Sequence, residues 1–314
     1  MLKNQTKILI TGGGGYIGSV LIGELIKKNF NITILDKFIF NQKKIINNLY
    51  GKKIKIIEGD VRDNALIKNS VKNIDIIIPL AAIVGAPLCK KNPQLTKSVN
   101  VGSAKTLVKN LSKNQIILVP TTNSGYGIGK KNSYCTEKSL LRPVSLYGQT
   151  KVLAEKIILD HQNSSSLRLA TVFGTSPRMR VDLLVNDFVF KAFKSKKITL
   201  FEGHFRRNYI HINDVCRAFL FAINNFDKFK NNIFNVGLSS ANLTKKELCN
   251  KIKKYIPDLF IEIDEFAKDP DKRDYIVSNK KLEKTGFKPK YSINFGIKQL
   301  LNYYKNNKKI YKNI

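Results

Sequence analysis

The pattern Tyr-x-x-x-Lys occurs four times, as Tyr126/Lys130, Tyr134/Lys138, Tyr147/Lys151 and Tyr304/Lys308. Such a pair can move a proton to or from an alcohol during oxidoreduction. A phenol with an ordinary pKa of about 10 is a poor base at neutral pH. An ammonium about 4 Å away, at an effective dielectric of about 20, is worth up to roughly 4 kcal/mol, or about three pKa units, which brings the phenol into working range. The two side chains must then share one face of a helix, where residues i and i+4 are neighbours. Gly125, Gly127 and Gly129 surround the first pair, the second lies in a polar stretch ending at Pro143, and the fourth belongs to the last charged turns. Tyr147/Lys151 opens "YGQTKVLAEKIILDHQ", with Ser145 placed to cap a helix and an apolar stripe at Val152, Leu153, Ile157 and Ile158. It is the pair expected to be chemical. A hydroxyl aimed at the same substrate oxygen is expected from the end of "QIILVPTT", where Thr122 is preferred over Thr121.

Positioning this pair calls for strands and helices in alternation. "KILIT" reads as a strand buried on both faces, followed by glycines and the apolar-periodic "YIGSVLIGELIKKN". The cycle repeats through "NITILD", "KIKIIEGD", "NIDIIIPLAA" and "QIILVPTT", with helical stretches between. That order specifies an α/β fold, a Rossmann-type doubly wound parallel sheet with helices on both faces. After "SLRLATVFG" the rhythm loosens, which predicts a smaller mixed α/β C-terminal domain over 173–314, with 1–172 as the first domain and 208–236 expected to rejoin it.

"TGGGGYIG" puts Gly12, Gly15 and Gly18 between the first strand and the first helix, whose opening residues are Tyr16 and Ile17. Gly12 permits the tight turn, Gly15 lets a pyrophosphate approach the backbone, and Gly18 lets the helix pack closely. Asp36 ends the second strand, where it can accept from the adenosine ribose hydroxyls and repel a 2′-phosphate. NAD is therefore expected over NADP, although Lys37 beside it blurs the preference. Asp60 in "EGDVRD" is placed either to bind the adenine amino group or to cap the helix of "RDNALIKN".

Composition sets the remaining bounds. The 314 residues are 43% hydrophobic, enough for a large core and two domains. "IIIPLAAIVGAPLC" is too short to span a membrane and is broken by Pro79 and Pro87, and the start lacks a signal-peptide core, so a cytoplasmic protein is expected. Cys89, Cys135, Cys216 and Cys249 are far apart, and His161, His204 and His211 form no ligand cluster, so no metal is expected. The net charge of +32 could serve nucleic acid, an anionic surface or an anionic substrate. The lysines are dispersed along the chain, which reads as drift at tolerant surface positions, and no nucleic-acid or membrane partner is expected.

Taken in order, "TGGGGYIG", "GDVRD", "LAA", Asn100-Val101-Gly102, "TTNSGYG", "YGQTK", "RLATVFG", "RRNYIHINDV", "FNVG" and "TGFKP" resemble the extended short-chain dehydrogenase/reductases that act on nucleotide sugars, the epimerases and dehydratases. The resemblance implies NAD in the first domain, a nucleotide-diphosphate sugar in the second and a homodimer. It carries Thr122, Tyr147 and Lys151 over as the catalytic trio, with Lys151 also holding the nicotinamide ribose. It adds Val61, Leu80, Ala81, Ala82 and Asn100 to the cofactor contacts, and Asn123, Thr171, Arg207 and Arg273 to those of the substrate. Asn186 is a further candidate for the sugar or phosphate, or else a helix cap. Sequence departures narrow the reaction. Asn123 and Ser124 stand where sugar 4,6-dehydratases carry Asp-Glu, Ser124 also stands where 3,5-epimerases carry a cysteine, and Thr171 replaces the usual asparagine of "RxxN". Hydride chemistry at a sugar hydroxyl, expected at C4, is what survives. "PLAAIVGAPLCKKNP", "TTNSGYGIG", "ATVFGTSPRMR" and "DPDKRDY" look most like the GDP-heptose 4-dehydrogenases of bacterial capsule pathways. The alternatives are a nucleotide-sugar 4-epimerase and, from another class, a non-catalytic NAD-binding regulator or nucleic-acid binder.

Overall fold

The computed structural model describes residues 6–130, 133–264 and 273–307. Lys308, the end of the basic tail, the opening "MLKNQ" and the first part of "DPDKRDY" lie outside the described residues. In chain order the elements begin β1 (Lys7–Thr11), α1 (Tyr16–Ile26), β2 (Asn31–Asp36), α2 (Lys43–Tyr50), β3 (Ile54–Glu58), α3 (Asn64–Ser70) and β4 (Ile76–Pro79). Short helices α4 (Ala86–Lys91) and α5 (Pro93–Lys97) lead through a π-helical turn, Ser98–Gly102, into α6 (Ser103–Asn110) and β5 (Ile116–Thr122). Then come β6 (Tyr134–Cys135), α7 (Leu146–Leu159), β7 (Ser164–Leu169), β8 (Thr171–Phe173), α8 (Leu184–Ser195), β9 (Lys197–Phe201), β10 (Arg206–His211) and α9 (Ile212–Asn224). The chain closes with α10 (Phe226–Phe229), β11 (Asn232–Val236), β12 (Asn242–Thr244), α11 (Lys245–Lys253), β13 (Phe260–Asp264), β14 (Ile276–Val277), α12 (Lys280–Glu283) and α13 (Ile293–Asn306).

The seven-stranded sheet has the order β11-β7-β5-β4-β1-β2-β3, and the pairs β1–β2, β2–β3, β1–β4 and β4–β5 run parallel. Ile8, Leu9 and Ile10 of β1 are fully buried because helices cover both faces, whereas the edge strand β3 carries Lys55 and Glu58 at exposed positions. Strand order reverses between β1 and β4, the crevice where such sheets take ligands. Leu9, Ile77, Ile117 and Val119 of the sheet pack against Leu107 of α6 and Ala154 and Ile158 of α7.

The chain divides into two compact units. The first is Met1–Thr122, Ser145–Arg168 and Cys216–Phe234; the second is Asn123–Val144, Leu169–Val215 and Asn235–Ile314. Against the expected boundaries, 123–144 falls in the second unit and the returning segment is shorter than 208–236. The reason is local. Once β5 ends, Arg142 N donates to Gly125 O, Tyr126 OH donates to Asn235 Oδ1 and Glu137 accepts from Asn235 N, so the segment folds onto residues beyond 234. The second unit holds a three-stranded sheet, β12-β10-β8, and two two-stranded sheets, β13-β9 and β14-β6.

Candidate active site

Within the first unit, the turn after β1 and the loop after β4 flank the reversal point. Gly12 has φ +71°, and a Cβ there would lie 2.6 Å from Ala81 N, so only glycine allows β1 to turn against the Leu80–Ala82 backbone. Gly18 meets the turn itself: its Cβ would sit 2.5 Å from Gly13 O, so the close approach is to the glycine loop rather than to the sheet. Gly15 is the N-cap of α1, with Tyr16 buried and Ile17 half-buried behind it. No acidic residue stands in the first turn of α1, which leaves the positive end of its dipole for an anion.

Asp36, 8% exposed, accepts from Gly14 N at 2.9 Å, Phe38 N at 2.7 Å and the Gln42 amide at 3.4 Å. Burial raises its pKa, opposed by the two backbone donors. A carboxylate offers about four lone-pair sites, so acceptor capacity remains for a ribose hydroxyl. Asp60 is not the helix cap that was one of its two expected roles. Arg62 donates to it through N, Nε and Nη2, and Lys37 through Nζ, which fills those sites and holds the carboxyl well below its usual range, with Arg62 the main cause. The cap of α3 is Asp63, which accepts from Leu66 N. An adenine amino group would have to displace one of the bonds to Asp60.

Asn100 is likewise occupied. Its amide accepts from Ile83 N at 2.8 Å and donates to Ile83 O and to the Thr150 hydroxyl, so it braces the loop after β4 against α7. A cavity lined by Thr11, Val61, Ala81, Ala82, Asn100 and Lys151 brings the β1, β4 and α7 candidates together.

Of the four tyrosine–lysine pairs, Tyr147 and Lys151 lie one turn apart on α7, which starts where Ser145 accepts from Gly148 N. Tyr126 is buried with its hydroxyl bonded to Asn235, Tyr134 is exposed on β6, and Tyr304 donates to Asn186 O. The buried face of α7 follows the expected stripe only in part: Ile158 is buried and Ile157 packs against the core. Leu153 is 47% exposed, while Lys151, Ala154, Glu155 and Ile158 face inward. Sequence reasoning therefore missed Glu155, whose signal was its place one further turn along the Tyr147–Lys151 face. Lys151 is 8% exposed, and its ammonium makes no hydrogen bond among the described residues. Burial lowers its pKa to about 8, and the Glu155 carboxylate works against that fall. Thr122 ends β5, half-buried.

The second unit gathers the remaining candidates. Arg207 on β10 is 2% exposed, with its guanidinium 5.7 Å from the Tyr275 ring centre, and Arg273 donates to the Ser124 hydroxyl. Both cations act on the buried Tyr209 phenol, whose pKa burial raises. Asn123 is 1% exposed, and neither atom of its amide has a hydrogen-bond partner among the described residues. Thr171 is half-buried on β8. Asn186 is not the N-cap of α8, which is Leu183; its amide accepts from Gly174 N and donates to Arg180 O, fixing the loop before α8.

Among the described residues, no group of three or more His, Cys, Asp or Glu is placed to hold a metal, and no helix is long and apolar enough to cross a membrane. His161 and His211 are engaged with Gln115 O and the Gln299 side chain.

Residues 8–237 match the profile of the NAD dependent epimerase/dehydratase family. A UDP-glucose 4-epimerase of Lactobacillus helveticus is 27% identical over 274 residues, 78% of this chain and 81% of that one. UDP-glucuronic acid decarboxylase 1 of Arabidopsis thaliana is 26% identical over 318 residues, 97% of this chain and 71% of that one. The structure of UDP-glucuronic acid 4-epimerase from Bacillus cereus, in complex with UDP-glucuronic acid and NAD, has the same fold, with a TM-score of 0.84 at 23% identity over 96% of this chain and 99% of that one.

Proposed function

Because the chain belongs to the NAD dependent epimerase/dehydratase family, with NAD as its cofactor, we propose that it oxidises the C4 hydroxyl of a nucleoside-diphosphate sugar to a 4-keto sugar nucleotide. The first unit fits that cofactor: Gly12 lets β1 turn beside β4, the first turn of α1 is free of acids, and Asp36 keeps acceptor capacity for a ribose hydroxyl. When bound, NAD supplies the acceptor for the hydride leaving C4. Tyr147 takes the hydroxyl proton, Thr122 holds the oxygen, and Lys151 stabilises the phenolate and holds the ribose. Arg207 and Arg273 hold the diphosphate. The observation that carries this reading is the Lys151 ammonium, buried and without a hydrogen bond among the described residues, one helical turn from Tyr147.

GDP-heptose is the proposed substrate, in capsule synthesis in the cytoplasm, on the motifs around Pro79, Thr121 and Arg273. In a homodimer, Leu95 and Leu153, 39% and 47% exposed on α5 and α7, are the side chains a second copy would cover. A second reading, a 4-epimerase, draws on the likeness to the L. helveticus enzyme. There the same groups act on a keto sugar that turns over and is reduced on its other face. Incubation with NAD and GDP-heptose, UDP-glucose or UDP-glucuronic acid separates the two. Net NADH with a free ketone is expected; an inverted C4 without net NADH selects the epimerase. Absence of turnover on all three overturns both.

A further inference from the structure

One buried carboxylate joins the helix and two strands beneath the candidate site. Glu155 of α7, 4% exposed, accepts the Thr121 hydroxyl of β5 at 2.7 Å and the Ser166 hydroxyl of β7 at 2.5 Å. Arg168, also on β7, grips the same carboxylate through Nη2 at 2.6 Å and Nε at 3.1 Å. A buried ion pair is a poor device for stability alone, since desolvating both charges costs about what their attraction returns, and apolar side chains of equal volume often do as well. Apolar packing cannot supply bonds limited in direction and distance. Those bonds end beside the chemical candidates: Thr121 precedes Thr122 on β5, and Glu155 follows Lys151 by one helical turn and Tyr147 by two.

We propose that Glu155 is a positioning residue: by accepting from Thr121, Ser166 and Arg168 together, it fixes α7 in rotation and advance relative to β5, and so sets where Tyr147 and Lys151 stand with respect to the Thr122 hydroxyl. The inference rests on taking those three residues as the chemical groups. A separate contact, Asn100 to Thr150, holds α7 to the π-helical turn. Loosening the Glu155 contact therefore shifts the helix rather than releasing it.

Thr121→Val keeps the side-chain shape, removes the donor and leaves the Glu155–Arg168 pair intact. In the NAD-loaded protein, hydrogen–deuterium exchange of the amides of 146–151 is expected to rise. On an accepted sugar nucleotide kcat should fall about tenfold with KM changed by less than about twofold, because a misplacement of about 1 Å costs up to ~100-fold. Thr121→Ser should restore both. A bond that merely stabilises would lower the melting temperature and leave kcat and exchange unchanged; that result, or failure of the serine variant to rescue, overturns the proposal. If the wild-type protein turns over no sugar nucleotide, the functional reading fails instead, and the exchange comparison, which needs no substrate, decides the pinning by itself.

Discussion

Lys37 Nζ lies 3.0 Å from the Asp60 carboxylate, so the cation that follows Asp36 is paired within the fold. This bears on cofactor choice, because a free lysine there would welcome a 2′-phosphate while Asp36 repels it. With Lys37 held by Asp60, Asp36 decides. Asp60→Asn should release Lys37 and Arg62 and narrow the preference for NAD over NADP by about tenfold, the scale of one charge-assisted hydrogen bond. Fluorescence titration with NADH and NADPH checks it; an unchanged ratio means that Lys37 does not reach the 2′ position.

Lys151 predicts opposite pH trends for activity and stability. Its folded pKa is lowered to about 8, against about 10.4 in an unfolded chain. Between those values the unfolded state binds more protons, so the Lys151 contribution to stability rises with pH across that window, and the cost of its buried charge is felt in full below it. Turnover that needs the ammonium should instead fall as pH rises through about 8. A kcat/KM profile measured beside melting temperatures distinguishes loss of charge from unfolding, and a flat profile from pH 7 to about 10 removes Lys151 from the chemistry.

The sheet was legible because β1 and β4 carry continuous apolar runs, β2 is interrupted only by Thr33 before it ends at Asp36, and glycines follow β1 directly. Around Tyr147 the helix was legible from Ser145 onward, yet its buried face was legible only in part. Periodicity assigns burial to Val152, Leu153, Ile157 and Ile158; Ile158 is buried and Ile157 packs against the core, but Leu153 is exposed and the fold also buries Lys151 and Glu155, because Arg168, Ser166 and Thr121 satisfy the carboxylate. Such satisfaction depends on residues distant in sequence, and no local pattern announces it. The same limit applies to Asn100 and Asn186, whose amides are occupied by Ile83, Thr150, Gly174 and Arg180. The 123–144 segment was misplaced because its partners, Asn235 above all, come a hundred residues later.

Arg273 offers a test of diphosphate binding. It is half-buried and already donates to Ser124. Arg273→Ala should raise KM for the sugar nucleotide by about 10- to 100-fold, as expected for losing charge-assisted bonds of about 1.5–3 kcal/mol, with little change in kcat. Arg207→Lys keeps the charge at a 2%-exposed position but loses the planar fork, and should also raise KM. A loss confined to kcat in both variants would move these arginines from binding to the chemical step.

Asn123 separates stability from function most cleanly. The residue is 1% exposed and its amide has no partner for either atom among the described residues, a desolvation cost of about 1–3 kcal/mol per unsatisfied group when nothing else is bound. Asn123→Ala breaks no side-chain hydrogen bond among the described residues, so relief of that cost should offset the small cavity left behind and keep stability within about 1 kcal/mol of wild type. If the amide reads a hydroxyl of the sugar, the same variant should lose about tenfold or more in kcat/KM. Thermal unfolding and steady-state kinetics on one preparation decide the matter. A stable variant with reduced kcat/KM makes Asn123 a substrate contact, whereas an unstable variant with wild-type kcat/KM makes it a packing residue.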